Sequence, residues 1–303
     1  MKNIESKWLR DSAGRSDEWY AERIAYLRDF ITDERAEVLS RTLDSRTRYM
    51  TICMENTYHA QNASALVRHC EAFGVQNIHT VETLCRFNPN LNIVRGTDKW
   101  VDIHRHASTA DALRALKGAG YRIIATSPHR ESCTPETFDV ARGKFAIVMG
   151  TEKTGISDEV FEAADEFLKI PMCGMVESLN VSACAAIIVY MLSERMRHEV
   201  EGWQLSDEEY HEILYRWSRE SVRDDENVLK RKFGDDVFVK LDGKDRNYIT
   251  NSYHIHVTEE IDAFKKLSFE SKFQELSPGG AVSYVEVPNM QNNIDAVLAV
   301  VQH

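Results

Sequence analysis

Two glycine-containing loops follow apolar runs in the middle of the chain, and their residues could hold a ligand. The first reads M-G-T-E-K-T-G-I-S from Met149 to Ser157, and the second reads I-P-M-C-G-M-V-E-S-L-N-V-S from Ile170 to Ser182. The second loop opens directly into an apolar helix, so it can present backbone amides, carbonyls and a helix N-terminus. Gly150 and Gly174 would let the backbone approach a ligand closely, although either glycine alone could simply end a strand.

The spacing of the first loop excludes the common phosphate-binding motifs. Its glycines are spaced as in a Walker motif, but Ile156 stands where that motif requires lysine. No G-x-G-x-x-G follows any predicted strand, which disfavours an open dinucleotide-binding fold.

Polar side chains near these loops admit both chemical and purely structural interpretations. If Asn62 caps a helix, Arg68 lies in its second turn, where its permanently charged guanidinium could clamp a phosphate or stabilise an alkoxide. A lone helical arginine is more often simply exposed. Ser178 and Asn180 can donate and accept hydrogen bonds, but Asn180 could equally be a plain helix cap. Glu152 could be a solvated acid in a turn.

Strands that alternate with helices must position these residues. The predicted strands are YMTICME, VQNIHTVE, YRIIATS, KFAIVMG and EFLKIPM. Amphipathic segments such as NASALVRHCEAF and STADALRALKGAG lie between them, and residues 17–43 read as a helix or a helix pair. This alternation predicts an α/β fold with a mostly parallel sheet.

Composition narrows the class of protein. The chain has 303 residues and a formal net charge of -11, so a general basic coat for nucleic acid is excluded, whereas a local basic face is not. Six cysteines without a C-x-x-C pair indicate reduced thiols and a cytoplasmic protein. No long apolar run predicts a membrane span. The H-x-H pairs at His104 and His254 lack companion ligands, so no metal site is predicted.

Three motifs in order carry a resemblance to a known family. They are N-A-S-A-L-V-R-H-C-E-A-F-G (Asn62 to Gly74) and the two loops above, and G-T-D-K-W-V (Gly96 to Val101) accompanies them. With these motifs, residues 20–230 resemble the SpoU/TrmH family of the SPOUT superfamily, which are RNA 2′-O-ribose methyltransferases. The likeness is greatest to the branch that methylates tRNA guanosine.

The resemblance implies an architecture. Its fold would be α/β, a knotted (trefoil), mostly parallel sheet of the SPOUT type with flanking helices and a C-terminal extension, assembled as a homodimer. We expect an N-terminal helical RNA-contact extension at 1–45, the SPOUT methyltransferase domain at 46–198 and a C-terminal helical extension at 199–234. Residues 235–303 would be an accessory tail of unknown role, with alternating strand-like runs around a helix-like stretch near Ile261 to Leu276.

The resemblance also implies a cofactor and residue roles. S-adenosyl-L-methionine would be bound largely by backbone groups of the knot, at Thr126, Gly150, Ile170, Met172 and Leu179. Arg68 would act as the catalytic base or as an electrostatic clamp, and Glu152 would orient it. The ribose, the cofactor's amino-acid end or Arg68 itself would be held by Asn62, Ser178 and Asn180.

The expected reaction is therefore 2′-O-ribose methylation of RNA, at a D-loop guanosine of tRNA. Two alternatives remain open at this point. One is an rRNA 2′-O-ribose methyltransferase of the same fold, and the other is a non-catalytic RNA-binding homologue. The complete set of polar motif residues disfavours the second, because a binding module has no need to keep them all. A scaffold role of the tail could coexist with either.

Overall fold

A parallel sheet forms the centre of the molecule. The computed structural model describes residues 15–127, 132–151, 154–176 and 178–234, and the strand residues 252–257, 274–275 and 283–288. The chain divides into two compact units, Met1–Val239 and Lys240–His303. The sheet of the first unit contains β1 (Met50–Glu55), β2 (Asn77–Val81), β3 (Asp102–His106), β4 (Arg122–Thr126), β5 (Phe145–Met149) and β6 (Glu166–Leu168).

Helices cover this sheet on both faces, and the predicted α/β fold with a mostly parallel sheet is confirmed. In chain order the described helices are α1 (Asp17–Arg28), α2 (Asp33–Leu43), α3 (Ala60–Ala72), α4 (Leu91–Val94), α5 (Thr109–Gly118), α6 (Asp158–Ala163), α7 (Val181–Glu199), α8 (Asp207–Ser221) and α9 (Asp225–Phe233). Helices α3 and α7 bury Leu66 and Ile188 against one face of the sheet. Helices α5 and α6 bury Leu116 and Val160 against the other. Because both faces are covered, β1 and β5 are buried along their whole length.

The arrangement of the strands places the loops that carry the predicted site residues at one edge of the sheet. The order is β3-β2-β1-β5-β4-β6, and every neighbouring pair is parallel. Connections therefore leave the adjacent strands β1 and β5 toward opposite sides of the sheet, which makes their carboxyl ends a switch point of the kind where α/β sheets bind ligands. The loops after β1, β2, β4, β5 and β6 all begin at this edge.

The helices that precede the sheet in the sequence pack against helices that follow it. Tyr20 and Leu27 of α1 lie in one apolar cluster with Tyr215 of α8 and Leu229 of α9. Leu39 and Leu43 of α2 join Ile213 and Trp217 of α8 in a second cluster. The helix pair predicted at 17–43 is therefore confirmed, and it is completed by residues almost 200 positions later in the sequence.

The arginines of these first helices have mainly structural contacts. Arg23 is buried, with its guanidinium 3.8 Å from the centre of the Trp19 ring. Arg35 donates a hydrogen bond to Ser221. Arg28 has an exposed side chain and an ion pair with Asp33. Burial thus removes Arg23 from any RNA-facing surface, which the sequence could not show.

A buried ionic cluster attaches α8 to the sheet. Both carboxylate oxygens of Asp102, at the start of β3, accept hydrogen bonds from Arg216, at 2.5 and 3.0 Å, and Arg48 donates to the same group. Burial by itself would raise the pKa of Asp102, but the charges of Arg216 and Arg48 outweigh it and lower that pKa well below its usual range.

The second unit contains a small antiparallel sheet. Its strands are β7 (Ser252–Val257), β8 (Gln274–Glu275) and β9 (Ser283–Pro288), in the order β7-β9-β8. Strand-like runs were predicted at β7 and β9, and both are confirmed. The helix predicted to end near Leu276 is wrong at that end, because residues 274–275 pair with β9; residues 258–273 lie outside the described ranges.

Two further findings bear on the sequence-based expectations. Strand β3 has the sequence D-I-H-R-H and was not predicted, because its two histidines and its arginine interrupt the hydrophobic pattern. Among the helices that the structure describes, none is long and apolar enough to cross a membrane.

Candidate functional site

The first motif lies on α3 in a different register from the one expected. The helix begins at Ala60, and its N-cap is His59, whose side chain makes no capping hydrogen bond. Asn62 is therefore not the cap; it lies in the first turn and is buried, and Arg68 lies in the third turn and not in the second. The helix starts two residues before Asn62, so its first turn comes earlier in the sequence than expected.

Asn180 joins the second loop to this helix. It is the N-cap of α7, where its Oδ1 accepts from the backbone amides of Ser182 and Ala183 at 2.9 and 3.3 Å. Its Nδ2 donates to Oδ1 of Asn62 at 3.2 Å. The structural and the chemical interpretations of Asn180 are thus compatible, because one side chain caps α7 and also contacts the first motif.

Arg68 points away from α3 toward α4. Its side chain is exposed, and Nη1 donates to the carbonyl oxygen of Ile93 at 3.0 Å. The charge of Arg68, after the larger effect of burial, lowers the pKa of the neighbouring His69. Glu152, the expected partner of Arg68, lies outside the described residues. Among the described residues this guanidinium has one backbone partner, so other N–H groups of its five can bind a ligand.

Glu55 is a functional candidate that motif reasoning missed. This carboxylate ends β1 and is only 2% exposed. It accepts hydrogen bonds from Oγ1 of Thr109 at 2.7 Å and from the backbone amide and Oγ of Ser157 at 2.9 and 2.8 Å. It therefore fixes the end of the first glycine-containing loop at the start of α6. The sequence signal is an acid that ends the otherwise apolar strand M-T-I-C-M-E.

The first loop closes tightly on itself. The backbones of Thr151 and Gly155 exchange hydrogen bonds of 2.9 and 3.2 Å. A Cβ atom added at Gly150 would lie 1.9 Å from the carbonyl carbon of Gly155. Gly150 is thus required by its own loop, a reason for the glycine that differs from the expected approach of a ligand. Thr126 stands beside it, where Oγ1 donates to the carbonyl of Val148 at 3.1 Å.

The second loop is open and has free backbone groups. Among the described residues from Ile170 to Leu179, no amide donates to a backbone carbonyl of another described residue. Ile170 packs against the core, Met172 is half-buried, and Ser178 and Leu179 are exposed. A Cβ atom at Gly174 would meet nothing within 4 Å. Unpaired backbone donors beside half-buried apolar side chains fit a ligand that has both polar and apolar parts.

The described residues do not form a metal centre. In the ranges that the structure describes, no group of three or more histidine, cysteine, aspartate or glutamate side chains is arranged to hold a metal ion. The candidate site is therefore the carboxyl edge of the sheet, with the second loop, Asn180, Asn62 and Arg68.

Comparison with known proteins shows which family the chain is similar to. The model of the SpoU rRNA Methylase family matches residues 49–190. A tRNA (guanosine(18)-2′-O)-methyltransferase of Borreliella burgdorferi is 34% identical over 207 residues, which cover 68% of this chain and 94% of that protein. The chain belongs to the SpoU rRNA methylase family. Residues 49–190 include every candidate residue named above.

Two further relatives define the extent of the likeness. The crystal structure of the A. aeolicus TrmH/SpoU tRNA modifying enzyme matches this SpoU family member with a TM-score of 0.56 and 31% identity, over 63% of this chain and 98% of that one. A 23S rRNA (guanosine-2′-O-)-methyltransferase RlmB of Burkholderia sp is 43% identical, but over only 82 residues, which cover 27% of this chain and 32% of that protein.

A second family model matches the other end of the chain. It describes anaerobic ribonucleoside-triphosphate reductase and covers residues 161–303, so it overlaps the first match over 161–190. The match spans less than half of the chain, and beyond Gly234 it falls mainly on residues outside the described ranges.

Proposed function

We propose that the protein is an S-adenosylmethionine-dependent methyltransferase that methylates the ribose 2′-oxygen of a guanosine in the D-loop of tRNA. The observation that carries the proposal is the hydrogen bond between Asn180 and Asn62. It joins an open loop with free backbone groups to the helix that presents Arg68. The name of the Borreliella relative, with its guanosine 18, supports the choice of nucleoside.

The cofactor would be held at the second loop. Free backbone groups of residues 170–179 suit its polar groups, and half-buried Met172 with Leu179 suits its adenine ring. Thr126 and Gly150 would close the site from the ends of β4 and β5. When bound, S-adenosylmethionine supplies an electrophilic methyl group on sulfur.

The chain's own residues would orient the RNA and stabilise charge. The ribose 2′-hydroxyl must lose its proton as the new bond forms, so negative charge develops on that oxygen. Arg68 can stabilise this charge or clamp a neighbouring phosphate through its bidentate fork. Asn62 and Ser178 would hold the ribose or the amino-acid end of the cofactor, and Glu152 would orient Arg68.

An rRNA substrate is the second candidate. The Burkholderia relative supports it, because its identity to this chain is the higher one. The Borreliella relative supports tRNA more strongly, because the match covers 94% of its length, whereas the match to the Burkholderia relative covers 32%. A non-catalytic RNA-binding protein is the third candidate.

One experiment separates the three. Purified protein is incubated with methyl-labelled S-adenosylmethionine and with separated tRNA or rRNA, and the 2′-O-methyl position is mapped. We expect label in tRNA at the D-loop guanosine, and cofactor binding by calorimetry without added divalent ions. Label in rRNA alone supports the second candidate. Binding of RNA without transfer of label supports the third and contradicts the proposal.

The proposal includes a homodimer. Helix α7 turns Ala185, Ile188 and Leu192 into its own core. On its other side Ala183 is exposed, Ile187 and Met191 are half-buried, and Tyr190 is 52% exposed. A second copy would cover this apolar face. Light scattering at micromolar concentration should give twice the chain mass, and Tyr190→Arg should lower it; a monomer mass for the wild type contradicts the dimer.

The proposal includes three further expectations from the sequence. They are a trefoil knot, a cytoplasmic location and the division of the chain into residues 1–45, 46–198, 199–234 and 235–303. The order of the six strands and the TM-score of 0.56 to the A. aeolicus enzyme support the knotted form. Six cysteines without a disulfide support a reducing compartment.

A further inference from the structure

The segment that follows β2 lies along the loop that precedes Arg68. Its Leu84 amide donates to Oδ1 of Asn56 at 2.7 Å, and its Asn90 amide donates to Oγ of Ser64 at 2.7 Å. Further on, the carbonyl of Ile93 accepts from Arg68 at 3.0 Å. Three hydrogen bonds thus align residues 82–95, here called the β2–β3 segment, with the β1–α3 loop and with α3.

An exposed aromatic ring stands where these two parts meet. Tyr58 is 48% exposed and lies in the β1–α3 loop, immediately before the N-cap residue His59 and four residues before Asn62. Its neighbours Asn56 and Thr57 are buried, so the backbone that carries the ring is fixed. Leu84, whose amide contacts Asn56, is 69% exposed. Apolar exposure therefore concentrates beside the candidate site at rigid positions.

The β2–β3 segment also carries exposed positive charge. Arg86 and Arg95 of the β2–β3 segment are exposed, and neither forms an ion pair with any residue the structure describes. Arg95 and Asn56 both have left-handed backbones, with φ of 49° and 47°. Such conformations cost energy in residues other than glycine and cluster at functional positions. Unpaired arginines are notable in a chain with net charge -11.

An exposed aromatic ring beside exposed arginines is a combination that binds single-stranded nucleic acid. Every base has a face that can stack on a ring, and phosphates pair with guanidinium groups. We propose that Tyr58 stacks on an unpaired base of the substrate RNA, next to the nucleotide whose ribose reaches Arg68. Arg86 and Arg95 contact phosphates of the same strand. This rests on the proposed function for the class of ligand and adds the residues that position it.

Three substitutions of Tyr58 test the stacking. The dissociation constant for tRNA is measured with S-adenosylhomocysteine present, together with KM and kcat for methyl transfer. Tyr58→Ala should raise the dissociation constant and KM by about 5- to 150-fold, the range for one stacked base. Tyr58→Phe keeps the ring and should stay within about twofold of wild type. Tyr58→Leu, apolar without a ring, should resemble Tyr58→Ala. An unchanged dissociation constant for Tyr58→Ala overturns the proposal.

Salt dependence tests the arginines. Arg86→Gln combined with Arg95→Gln should reduce the slope of log affinity against log salt by about 1.4, for two phosphates of a single strand. The matched control is Arg114→Gln with Lys117→Gln, which removes two exposed cations from α5 on the other face of the sheet. Equal slopes for the two double variants contradict the role of Arg86 and Arg95.

The binding readout separates this inference from the proposed function. If wild type binds tRNA but transfers no methyl group, and Tyr58→Ala weakens binding, the methyltransferase proposal falls and the stacking role stands. If wild type methylates tRNA and Tyr58→Ala binds it equally well, the methyltransferase proposal stands and the stacking role is wrong. If wild type binds no RNA, both are wrong. Calorimetry with S-adenosylhomocysteine should give equal affinity for every variant, because Tyr58 does not belong to the second loop.

Discussion

Single residues at this site have contacts that suggest their separate roles. Arg68 is exposed and makes one backbone hydrogen bond, whereas Asn62 is buried beneath the cap of α7. An exposed guanidinium can move to a substrate at little structural cost. A buried amide holds neighbouring elements in place, so its loss affects geometry first.

Arg68→Ala should therefore remove activity and leave the fold intact. We expect kcat/KM for methyl transfer to fall about 100- to 1,000-fold, the usual cost of one donor to a developing oxyanion. Arg68→Lys should not rescue, because one ammonium cannot reproduce a bidentate fork. Arg114→Ala, an exposed arginine on α5, is the control. Activity within a few-fold of wild type in Arg68→Ala would remove this residue from the mechanism.

Two substitutions of Asn180 separate its roles. Serine keeps an oxygen that caps α7 but cannot reach Asn62, and alanine loses both contacts. Asn180→Ser should keep the free energy of unfolding within about 0.5 kcal/mol, whereas Asn180→Ala should lower it by about 1 kcal/mol. Both should reduce kcat/KM about tenfold, in line with the loss of one hydrogen bond. Full activity in Asn180→Ser would show that only the cap matters. Urea unfolding and initial rates supply the data.

Much of this residue set could be predicted from the sequence, but its contacts could not. Asn62 and Asn180 were both predicted, yet they are 118 positions apart, and no local spacing encodes their hydrogen bond. Glu55 was missed for the same reason, because its partners Thr109 and Ser157 lie 54 and 102 positions away. Motif reasoning detects residue types in order, whereas pairing depends on which strands become neighbours.

At the scale of secondary-structure elements, two loop glycines that look equivalent in the sequence have different roles. Gly150 closes a loop on itself, and Gly174 lies in open space. The sequence predicts the same freedom for both. Only the backbone of Gly155, folded back beside Gly150, distinguishes them.

Alanine substitutions make this difference measurable. Gly150→Ala forces its Cβ against the Gly155 backbone and should lower the free energy of unfolding by about 1–3 kcal/mol. Gly174→Ala should leave stability unchanged, since nothing lies within 4 Å of the added atom. If the cofactor approaches the second loop closely, Gly174→Ala should still weaken its binding in calorimetry. Unchanged affinity in Gly174→Ala would place the cofactor away from that glycine.

Strands β2 and β3 bring three histidines together. His79 and His106 share a ring-nitrogen contact of 2.9 Å, and the rings of His79 and His104 stack with centres 4.6 Å apart. Burial first, and then the charges of His104 and His106, lower the pKa of His79 well below its usual value. The folded state therefore favours the neutral form of His79.

Stability should consequently fall in acid. The unfolded chain takes up this proton near pH 6.5, while the folded chain takes it up only at lower pH. The contribution of His79 is thus complete above about pH 6.5 and decreases below it, by at most about 1.4 kcal/mol per pH unit. His79→Gln should flatten this dependence in urea titrations between pH 7.5 and pH 5. The same slope in wild type and variant would contradict the prediction.

At the scale of the whole molecule, every candidate residue lies in the first unit. The unit Met1–Val239 contains the six-stranded sheet and its helices, and the second unit begins at Lys240. The expected boundary at Gly234 lies five residues before that division. The last described helix, α9, ends at Phe233 with Gly234 as its C-cap, which suits a break at this point.

Removal of residues 235–303 should therefore leave the methyltransferase complete. We expect the truncated chain to keep its affinity for S-adenosylmethionine, its oligomeric state in light scattering and its tRNA methylation within about threefold, because the core clusters described for the first unit are built from residues before Gly234. A second truncation, which ends at Val239, is measured beside it. Insolubility or lost cofactor binding in both would mean that the tail belongs to the core.

The sequence by itself determined the local features of this protein. Short apolar runs predicted five of the six strands of the large sheet, and the 3.6-residue period predicted helices between them, because both patterns follow from backbone geometry and burial. Serine caps and terminal glycines marked helix ends, as at Ser157 and Gly74. The order of three motifs identified the family before any fold was seen.

Only the tertiary structure decided what those features do together. The parallel pairing of the strands brings the loops after β1, β2, β4, β5 and β6 to one edge of the sheet. The packing of α1 against α8 and α9 buries Arg23, whereas Arg68, Arg86 and Arg95 are exposed. The reason is physical: burial and long-range pairing depend on which surfaces pack against each other, and that choice minimises the free energy of the whole chain and not of any segment.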